Sequence, residues 1–222
     1  MDIHEKHETD LTRAERRQLE KEKLQSMDWK HKLGYIWDYY KPQIFGVIAI
    51  FAAIWFGFSW YENSKYETIM YAAVTDGYMN EDESEQMNRE YKEFIGDQEK
   101  YHRVSIDTTV AIGSEDSQAR YNATMKLNTI VAAGAVDVVI GSKEHVKDFV
   151  TQGAAENLSG VLSEEMQETY QDHIVDDKLF DLTGSTKIGN PLHVTADPVY
   201  LVILNIGERQ EYAAKFLEYL MQ

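Results

Sequence analysis

Residues 42–61 are twenty consecutive positions without a charge, the most apolar stretch of the chain. As an α-helix they would span about 30 Å, the thickness of the hydrocarbon core of a bilayer. Their bulky apolar residues fall on every face of such a helix, whereas a core helix of a soluble domain normally shows one polar face. Aromatic residues such as Trp37 and Trp60 bracket the stretch, as they do at membrane interfaces. The pattern predicts a transmembrane helix embedded in the lipid bilayer.

This helix is expected to remain as an uncleaved signal anchor. It begins after 41 residues, and the sequence that follows, FSWYENSKY, has no small-residue cleavage pattern. Lys23, Lys30, Lys32 and Lys41 precede it closely, whereas only Lys65 follows within twenty residues. Because positive flanks stay on the cytoplasmic side, the N-terminus is predicted to be cytoplasmic and the C-terminal part extracytoplasmic, in the cell membrane.

The first 41 residues are predicted to form a helical cytoplasmic tail. Helix formers and alternating charges in residues 10–32 are typical of a solvated helix. Nearer the membrane, five apolar residues recur at helical spacing: Trp29, Leu33, Ile36, Trp37 and Tyr40. With its lysines, this stripe suits a helix in the inner membrane interface before the chain turns at Pro42. It serves either as a plain topology anchor or as a docking surface for a membrane partner.

Residues 62–222 alternate predicted strands and helices. Apolar or alternating runs predict strands over 67–74, 104–112, 136–140 and 199–204. Amphipathic periodicity and capping residues predict helices over 81–95, 116–133, 143–152, 164–173 and 208–221. Residues 178–198 are expected to be short strands or loop. This order predicts an α/β domain with a mixed, mainly parallel sheet and helices on both faces. The uninterrupted runs VDVVI and VYLVIL suit central strands.

Charge and composition narrow the classes of function. The net charge is −16, and the first 41 residues contribute none of it because they hold nine basic and nine acidic side chains. Nucleic-acid binding is not expected, since it needs a basic face. The acidic outer domain is expected to stand off anionic headgroups. The chain has no cysteine, which excludes disulfides, thiolate metal sites and a cysteine nucleophile.

Three strand-to-helix turns carry small polar residues that suit ligand binding. They are Thr75, Asp76 and Gly77 in the first turn, Gly113 and Ser114 in the second, and Gly141 and Ser142 in the third. In an open parallel sheet, ligands bind at the carboxyl edge, where helix N-termini present free amides. If the strands are parallel, the turns predict a site for a small polar or anionic ligand. The alternative is structural: the serines cap helices and the glycines turn the chain.

No catalytic or cofactor motif stands out, so neither an enzymatic activity nor a cofactor is predicted. The seven histidines, among them His102, His145, His173 and His193, are scattered and lack metal-site spacing. A nucleophile elbow and a phosphate loop are also missing. Asp176, Asp177 and Asp181 suit a solvated acidic face better than a calcium site, because the D-x-D-x-D-G spacing is absent.

Two segments resemble class II extracellular solute-binding proteins. In residues 126–162, KLNTIVAAGAVDVVIGSKEHVKDFVTQGAAENLSGVL, a helix ends in AG, a buried DVVI strand and a helix follow, and Gly153, Leu158 and Leu162 form a glycine-to-leucine step. Residues 200–221, YLVILNIGERQEYAAKFLEYLM, combine a strand, a polar turn and an A-x-x-F-x-x-x-L helix. The resemblance implies an α/β lobe with a binding role. Members of that family have two lobes, whereas residues 62–222 leave room for about one, so a closing clamp is not expected.

Three functions of different classes follow from these features. The first is a single-pass membrane protein whose non-enzymatic outer domain binds a small ligand or an envelope partner. The second is a structural or interaction subunit of a membrane complex without a small ligand. The third, an outer-face enzyme, is disfavoured because no acid–base or nucleophile set is visible. A polar cleft at the three turns would favour ligand binding, and exposed apolar patches would favour the interaction subunit.

Overall fold

The computed structural model describes residues 12–26, 28–205 and 209–222. The chain divides into two compact units, one ending at Ser64 and the other spanning Lys65–Gln222. The first unit contains the helices α1 (Arg13–Ser26) and α2 (Trp29–Asn63). The first eleven residues of the predicted tail lie outside the described residues.

Helix α2 continues without interruption through Pro42. Its 35 residues extend for roughly 52 Å, more than the hydrocarbon core of a bilayer requires. The segment before this proline and the apolar stretch therefore belong to one helix, and the change of direction at Pro42 remains a prediction. A proline inside a helix removes one backbone donor and crowds the preceding turn, but α2 continues on both sides of Pro42.

Among the described residues, one helical stretch, Tyr40–Asn63, is long and apolar enough to cross a membrane. Its bulky side chains are exposed, including Phe51 at 68%, Trp55 at 76% and Phe56 at 74%. A helix that is apolar all round is either buried in a large core or spans a membrane. By length and composition, this stretch could span a membrane, and its side chains are not buried within the described part of the protein.

The second unit is built on one six-stranded sheet in the order β2-β1-β3-β6-β5-β4. Its strands are β1 (Glu67–Thr75), β2 (His102–Val110), β3 (Val138–Gly141), β4 (Ile174–Asp176), β5 (Leu179–Asp181) and β6 (Tyr200–Ile203). Strand β1 pairs in parallel with β2 and β3, whereas the pairs β3–β6, β5–β6 and β4–β5 are antiparallel. The α/β class is confirmed, and the VDVVI and VYLVIL runs do form central strands.

The prediction of a mainly parallel sheet is wrong, because the C-terminal strands all join it antiparallel. Strands β4 and β5 form a hairpin joined by Asp177 and Lys178, and so short a connection allows only antiparallel pairing. Strand β6 lies between β3 and β5 and runs against both. A strand covered on both faces reads as a continuous apolar run whichever way it points, so the sequence of β6 does not reveal its direction.

Helices cover both faces of the sheet, as predicted. One face carries α3 (Glu81–Phe94), α6 (Leu158–Val161), α7 (Glu164–Thr169), α8 (Thr186–Gly189) and α9 (Gln210–Met221), and the other carries α4 (Ser117–Ala132) and α5 (Lys143–Thr151). Successive strand residues alternate between the two apolar clusters, as the two-residue period of a strand requires. The helix predicted over 164–173 ends at Thr169, and a separate 3₁₀ turn (Gln171–His173) follows it. Glu208, predicted to begin the last helix, lies outside the described residues.

Arg209 closes the amino end of the parallel strands. The carboxylate of Asp137, just before β3, accepts hydrogen bonds from the Tyr71 N–H at 2.7 Å and from Arg209 Nε at 3.0 Å. The other guanidinium nitrogens of Arg209 donate to the carbonyl oxygens of Thr68 at 2.6 Å and Ala135 at 3.0 Å. Burial raises the pKa of Asp137, and the hydrogen bonds from Tyr71 and Arg209 oppose that rise. The network ties the starts of β1 and β3 together.

Candidate functional site

The three predicted turns meet at one edge of the sheet. Thr75 ends β1, Gly113 follows β2, and Ser142 follows β3. Because β1 pairs in parallel with both β2 and β3, the carboxyl ends of all three strands point the same way. The condition on which the predicted site depended is therefore met for these three strands.

Asp76 connects the first turn to the second. Its backbone has a positive φ of 57°, a conformation that aspartate adopts more readily than most residues. One carboxylate oxygen accepts a hydrogen bond from the Gly113 N–H at 2.6 Å. A Cβ atom at Gly113 would lie 2.9 Å from the other oxygen, so the close approach of the two turns depends on glycine. The Asp76 carbonyl oxygen also accepts hydrogen bonds from the N–H and the hydroxyl of Thr195. The aspartate thus acts as a structural connector.

The third turn joins the first through Thr75 and His145. The buried hydroxyl of Thr75 donates to the Ile140 carbonyl oxygen at 3.1 Å. His145 Nδ1 lies 3.3 Å from that hydroxyl and 3.0 Å from an Asp76 carboxylate oxygen. Any Cβ atom at Gly141 would collide with the Thr75 hydroxyl. We call the meeting point of the three turns, around Thr75, Asp76 and His145, the junction. Its polar groups largely form hydrogen bonds with one another.

The two predicted serine caps have different outcomes. Ser142 does cap α5, since its hydroxyl accepts a hydrogen bond from the His145 N–H at 3.4 Å. Ser114 does not cap α4, and that expectation is wrong. The carboxylate of Asp116 takes the capping position instead and accepts from the N–H groups of the first helical turn. Carboxylates are strong N-caps and also complement the positive end of the helix dipole.

Gly77 lies inside the first turn, where it packs against the backbone of Leu192 and the side chain of Val74. Ser114 accepts a hydrogen bond from the Asp116 N–H at 3.3 Å, which shapes the second turn. Both residues therefore contribute to the local structure of their turns. Together with the contacts of Asp76 and Thr75, this geometry gives the turn residues structural contacts, although Ser114 does not act as the predicted cap.

An open pocket of about 340 Å³ lies beside the junction, between α4 and α5. Its apolar wall is formed by Ile112, Leu127 and Phe149, and its polar rim includes Arg120, Asn128, Glu144, His145 and Asp148. Ile112 belongs to the segment of the second turn, and His145 lies in the first turn of the helix after the third. The pocket thus lies next to the predicted site and shares the same edge of the sheet.

The rim of the pocket carries charges of both signs. Arg120 Nη1 donates to the Ser114 carbonyl oxygen at 2.9 Å, which holds the guanidinium near the second turn. Glu144 and Asp148 are exposed and stand four residues apart on α5, so they share one helix face. Within the described ranges, neither carboxylate forms an ion pair. A guanidinium, two carboxylates and an apolar wall together suit a small zwitterionic or polar molecule.

Sequence reasoning missed both His145 and the pocket. His145 was grouped with the scattered histidines, although it stands three residues after the predicted cap Ser142. Side chains in the first turn of a helix lean towards its N-terminus, which here means towards the strand ends. That position was the available signal. Among the residues that the structure describes, no group of three His, Asp or Glu side chains is arranged to hold a metal ion.

The seven predicted residues therefore lie in the three turns that meet at this edge of the sheet. The neighbouring pocket carries the charged side chains of Arg120, Glu144 and Asp148, which are exposed to solvent. No protein-family model matches the chain, and no curated protein shows a significant match to it.

Proposed function

We propose that this protein is a single-pass membrane protein whose non-enzymatic outer domain binds a small ligand between α4 and α5. The observation that carries the proposal is the mixed-charge pocket beside the carboxyl ends of β1, β2 and β3. Open α/β sheets bind ligands at this edge. The resemblance of residues 126–162 to solute-binding proteins supports the same role, because that segment contains the second half of α4 together with β3 and α5.

The pocket favours a zwitterion of amino-acid size. Arg120 offers donors to a carboxylate, and Glu144 and Asp148 offer acceptors to an amine. Phe149 and Leu127 supply apolar contact for a side chain. The polar groups of the three turns are less suited to a ligand, because the Asp76 carboxylate and the Thr75 hydroxyl already bind neighbouring protein atoms.

The membrane part of the proposal keeps the predicted division of the chain. Residues 1–41 form the cytoplasmic tail, residues 42–61 the membrane span and residues 62–222 the extracytoplasmic domain. The exposed apolar stretch within α2 supports the span. The excess of lysines before the stretch supports the orientation, because positive flanks remain in the cytoplasm.

Ligand binding is tested by thermal-shift and calorimetric screening of the full-length protein in detergent micelles against amino acids, short peptides, sugars and oxyanions. An amino-acid ligand should raise the melting temperature, and both Arg120→Gln and Asp148→Asn should abolish that rise. Arg89→Gln is the matched control, because Arg89 is exposed on α3, away from the pocket, and pairs with the neighbouring Glu85. A ligand whose binding survives both pocket changes would contradict the proposed site.

Topology is tested by cysteine labelling, since the natural chain has no cysteine. Gln18→Cys and Ser159→Cys place single thiols at exposed positions in the tail and the outer domain. A membrane-impermeable maleimide should label position 159 in intact cells and position 18 only after permeabilisation. The opposite pattern would reverse the orientation, and labelling of both positions in intact cells would contradict a single span.

A structural or interaction subunit is the second candidate, favoured by an apolar pair on α4. Tyr121 and Met125 are 61% and 48% exposed and lie one helical turn apart. Such a pair offers apolar contact to another protein. A stoichiometric partner that co-purifies with the full-length protein and is lost in Tyr121→Ser with Met125→Ser would favour this candidate, provided that no small ligand shifts the melting temperature.

A further inference from the structure

Two pairs of basic and aromatic residues lie side by side at the start of the outer domain. Lys65 and Tyr66 precede β1, and Lys100 and Tyr101 precede β2. Strands β1 and β2 are parallel, with their first residues in register, so the two pairs are neighbours in space. Arg103 follows on β2. We call Lys65, Tyr66, Lys100, Tyr101 and Arg103 the basic cluster.

The tyrosine rings hold the three cations in place. The rings of Tyr66 and Tyr101 meet edge to face, with 5.7 Å between centroids. The Nζ atoms of Lys65 and Lys100 lie 5.7 and 5.2 Å from the centroid of Tyr101. The Arg103 guanidinium lies 4.6 Å from the centroid of Tyr66. A cation–π contact positions a charge without neutralising it.

The charges of Lys100 and Arg103 are not cancelled by carboxylates. Within residues 12–26, 28–205 and 209–222, neither of these two side chains forms an ion pair. The nearby Asp97 is already engaged, since it lies 3.3 Å from Lys92 Nζ and 3.0 Å from His102 Nδ1. Glu67 and Glu99 are neighbours of the basic cluster in the sequence, so the net positive charge of this surface is small. What the basic cluster offers is a set of hydrogen-bond donors in defined positions.

Lys65, the first residue of the basic cluster, follows the apolar stretch of α2 closely along the chain. Four peptide steps separate Tyr61 from Lys65, and a chain covers at most about 3.6 Å per residue, so the two Cα atoms are within roughly 14 Å. If α2 spans the membrane, aromatic residues such as Trp60 and Tyr61 belong at its interface. Lys65 and the side chains around it then stand at the level of the lipid headgroups.

We propose that the basic cluster binds the phosphate groups of anionic phospholipids and holds the outer domain against the membrane surface. The inference rests on the membrane span proposed above. Lys and Arg donate hydrogen bonds to phosphate oxygens, and tyrosine rings suit the headgroup layer. Residues 62–222 contain 13 basic and 29 acidic side chains, and three of those basic ones lie at this single place. The expectation that the acidic domain stands off the membrane then applies only to its distal part.

The test uses the full-length protein in nanodiscs of phosphatidylcholine, with or without phosphatidylglycerol. A fluorophore on Gln98→Cys, an exposed position next to the basic cluster, is quenched by lipids that carry a spin label on the headgroup. Quenching should be stronger with phosphatidylglycerol and should weaken in high salt. Each cation removed by Lys65→Gln, Lys100→Gln or Arg103→Gln should lower the ratio of bound to detached domain about fivefold.

A charge-matched control removes three cations elsewhere in the outer domain: Arg89→Gln, Lys143→Gln and Lys147→Gln. This variant should keep the quenching of the unaltered chain, whereas the variant that combines Lys65→Gln, Lys100→Gln and Arg103→Gln should lose the part that depends on phosphatidylglycerol. An equal loss in the two triple variants would overturn the proposal in favour of a general charge effect. Equal quenching in the two lipid compositions would also overturn it.

Membrane insertion is read separately in the same samples. All four tryptophans, Trp29, Trp37, Trp55 and Trp60, belong to α2, so quenching of their emission by brominated acyl chains reports only on that helix. Absence of tryptophan quenching would refute the membrane span and the lipid contact together. Tryptophan quenching combined with headgroup quenching that ignores phosphatidylglycerol would refute the basic cluster's role alone.

Discussion

The two ends of the parallel strands are each tied together by an aspartate, but the partners of the two aspartates differ. Asp137 at the amino end has a side chain only 2% exposed and is held by Arg209. Asp76 at the carboxyl end is 16% exposed and is held by His145 and a backbone amide. The Arg209 guanidinium keeps its charge at any physiological pH and donates to three oxygen acceptors. The amino end is thus held by a fixed cation with three hydrogen bonds, whereas the carboxyl end is held by fewer contacts at more exposed side chains.

This difference bears on where a ligand binds. At the amino end, the Asp137 carboxylate and the Arg209 guanidinium are paired within the network. The carboxyl end places His145 on the rim of an open pocket. Three substitutions compare the two ends, and a fourth, at Asp107, serves as a reference. Each is measured by urea unfolding of the full-length protein in detergent, followed by the near-ultraviolet circular dichroism of tyrosine.

Arg209→Ala should have the largest effect, lowering the free energy of unfolding by about 3–5 kcal/mol. It leaves the Asp137 carboxylate buried without its cation and two carbonyl oxygens without a donor. The loss of the cation should raise the pKa of Asp137 further than burial alone does. Because a carboxyl group with a raised folded-state pKa loses stability as pH rises through that pKa, the deficit should be larger at neutral pH than in mild acid. If the free energy of unfolding fell by less than about 1 kcal/mol, the Asp137–Arg209 network would contribute no more than an exposed ion pair does.

Asp107 lies on β2 away from both ends and serves as a reference carboxylate. Burial alone would raise its pKa, but hydrogen bonds from Lys126, Thr109 and Tyr71 lower it to about 2. A lowered folded-state pKa stabilises the protein above the unfolded value of 3.8, and this stability is lost as pH falls towards 2. The contribution amounts to about 2 kcal/mol. Asp107→Asn should lose it at neutral pH and should show a flatter decline in acid; an unchanged acid profile would contradict the assignment.

Gly141→Ala tests how tightly the carboxyl end is packed and should cost about 2 kcal/mol through the collision with the Thr75 hydroxyl. Adding Thr75→Ala should recover part of that loss, since the two positions are in contact. Gly160→Ala is the matched control, because a Cβ atom there meets nothing within 4 Å. Equal losses of stability in Gly141→Ala and Gly160→Ala would show that the third turn does not depend on the close contact between Gly141 and Thr75.

His145→Gln should have the smallest effect, about 1 kcal/mol, because it removes hydrogen bonds near the surface. The amide can still reach one of the two partners, Thr75 or Asp76. If this variant lost as much stability as Arg209→Ala, the contrast between the two ends of the sheet would disappear.

Local signals were sufficient for most of the elements. Helix α5 starts directly after its cap Ser142, and α3 starts after Asn80, whose side chain and that of Glu83 form a reciprocal capping box. These contacts span three residues, so the sequence pattern contains them. Strand β4 was missed, because three residues with an acidic end carry too little alternation to predict a strand.

The candidate site was only partly predictable. The meeting of the three turns followed from parallel pairing, which held for β1, β2 and β3. The hydrogen-bond partners of the polar groups could not be predicted in the same way, because His145 and Thr75, which are in contact, are 70 positions apart in the chain. From the sequence alone, a polar residue that hydrogen-bonds a distant part of the protein cannot be distinguished from one that is free to bind a ligand.

The sequence by itself determined the long apolar helix, the α/β class and the central position of the two uninterrupted strands, because each depends on residues close together in the chain. The tertiary structure decided the direction of β6, the junction around Asp76 and the link between Asp137 and Arg209, which are 72 residues apart. It also placed Lys65 and Lys100 around one tyrosine ring. Such contacts depend on which segments the sheet brings together, and the pattern of apolar residues within a segment does not specify which other segment it pairs with.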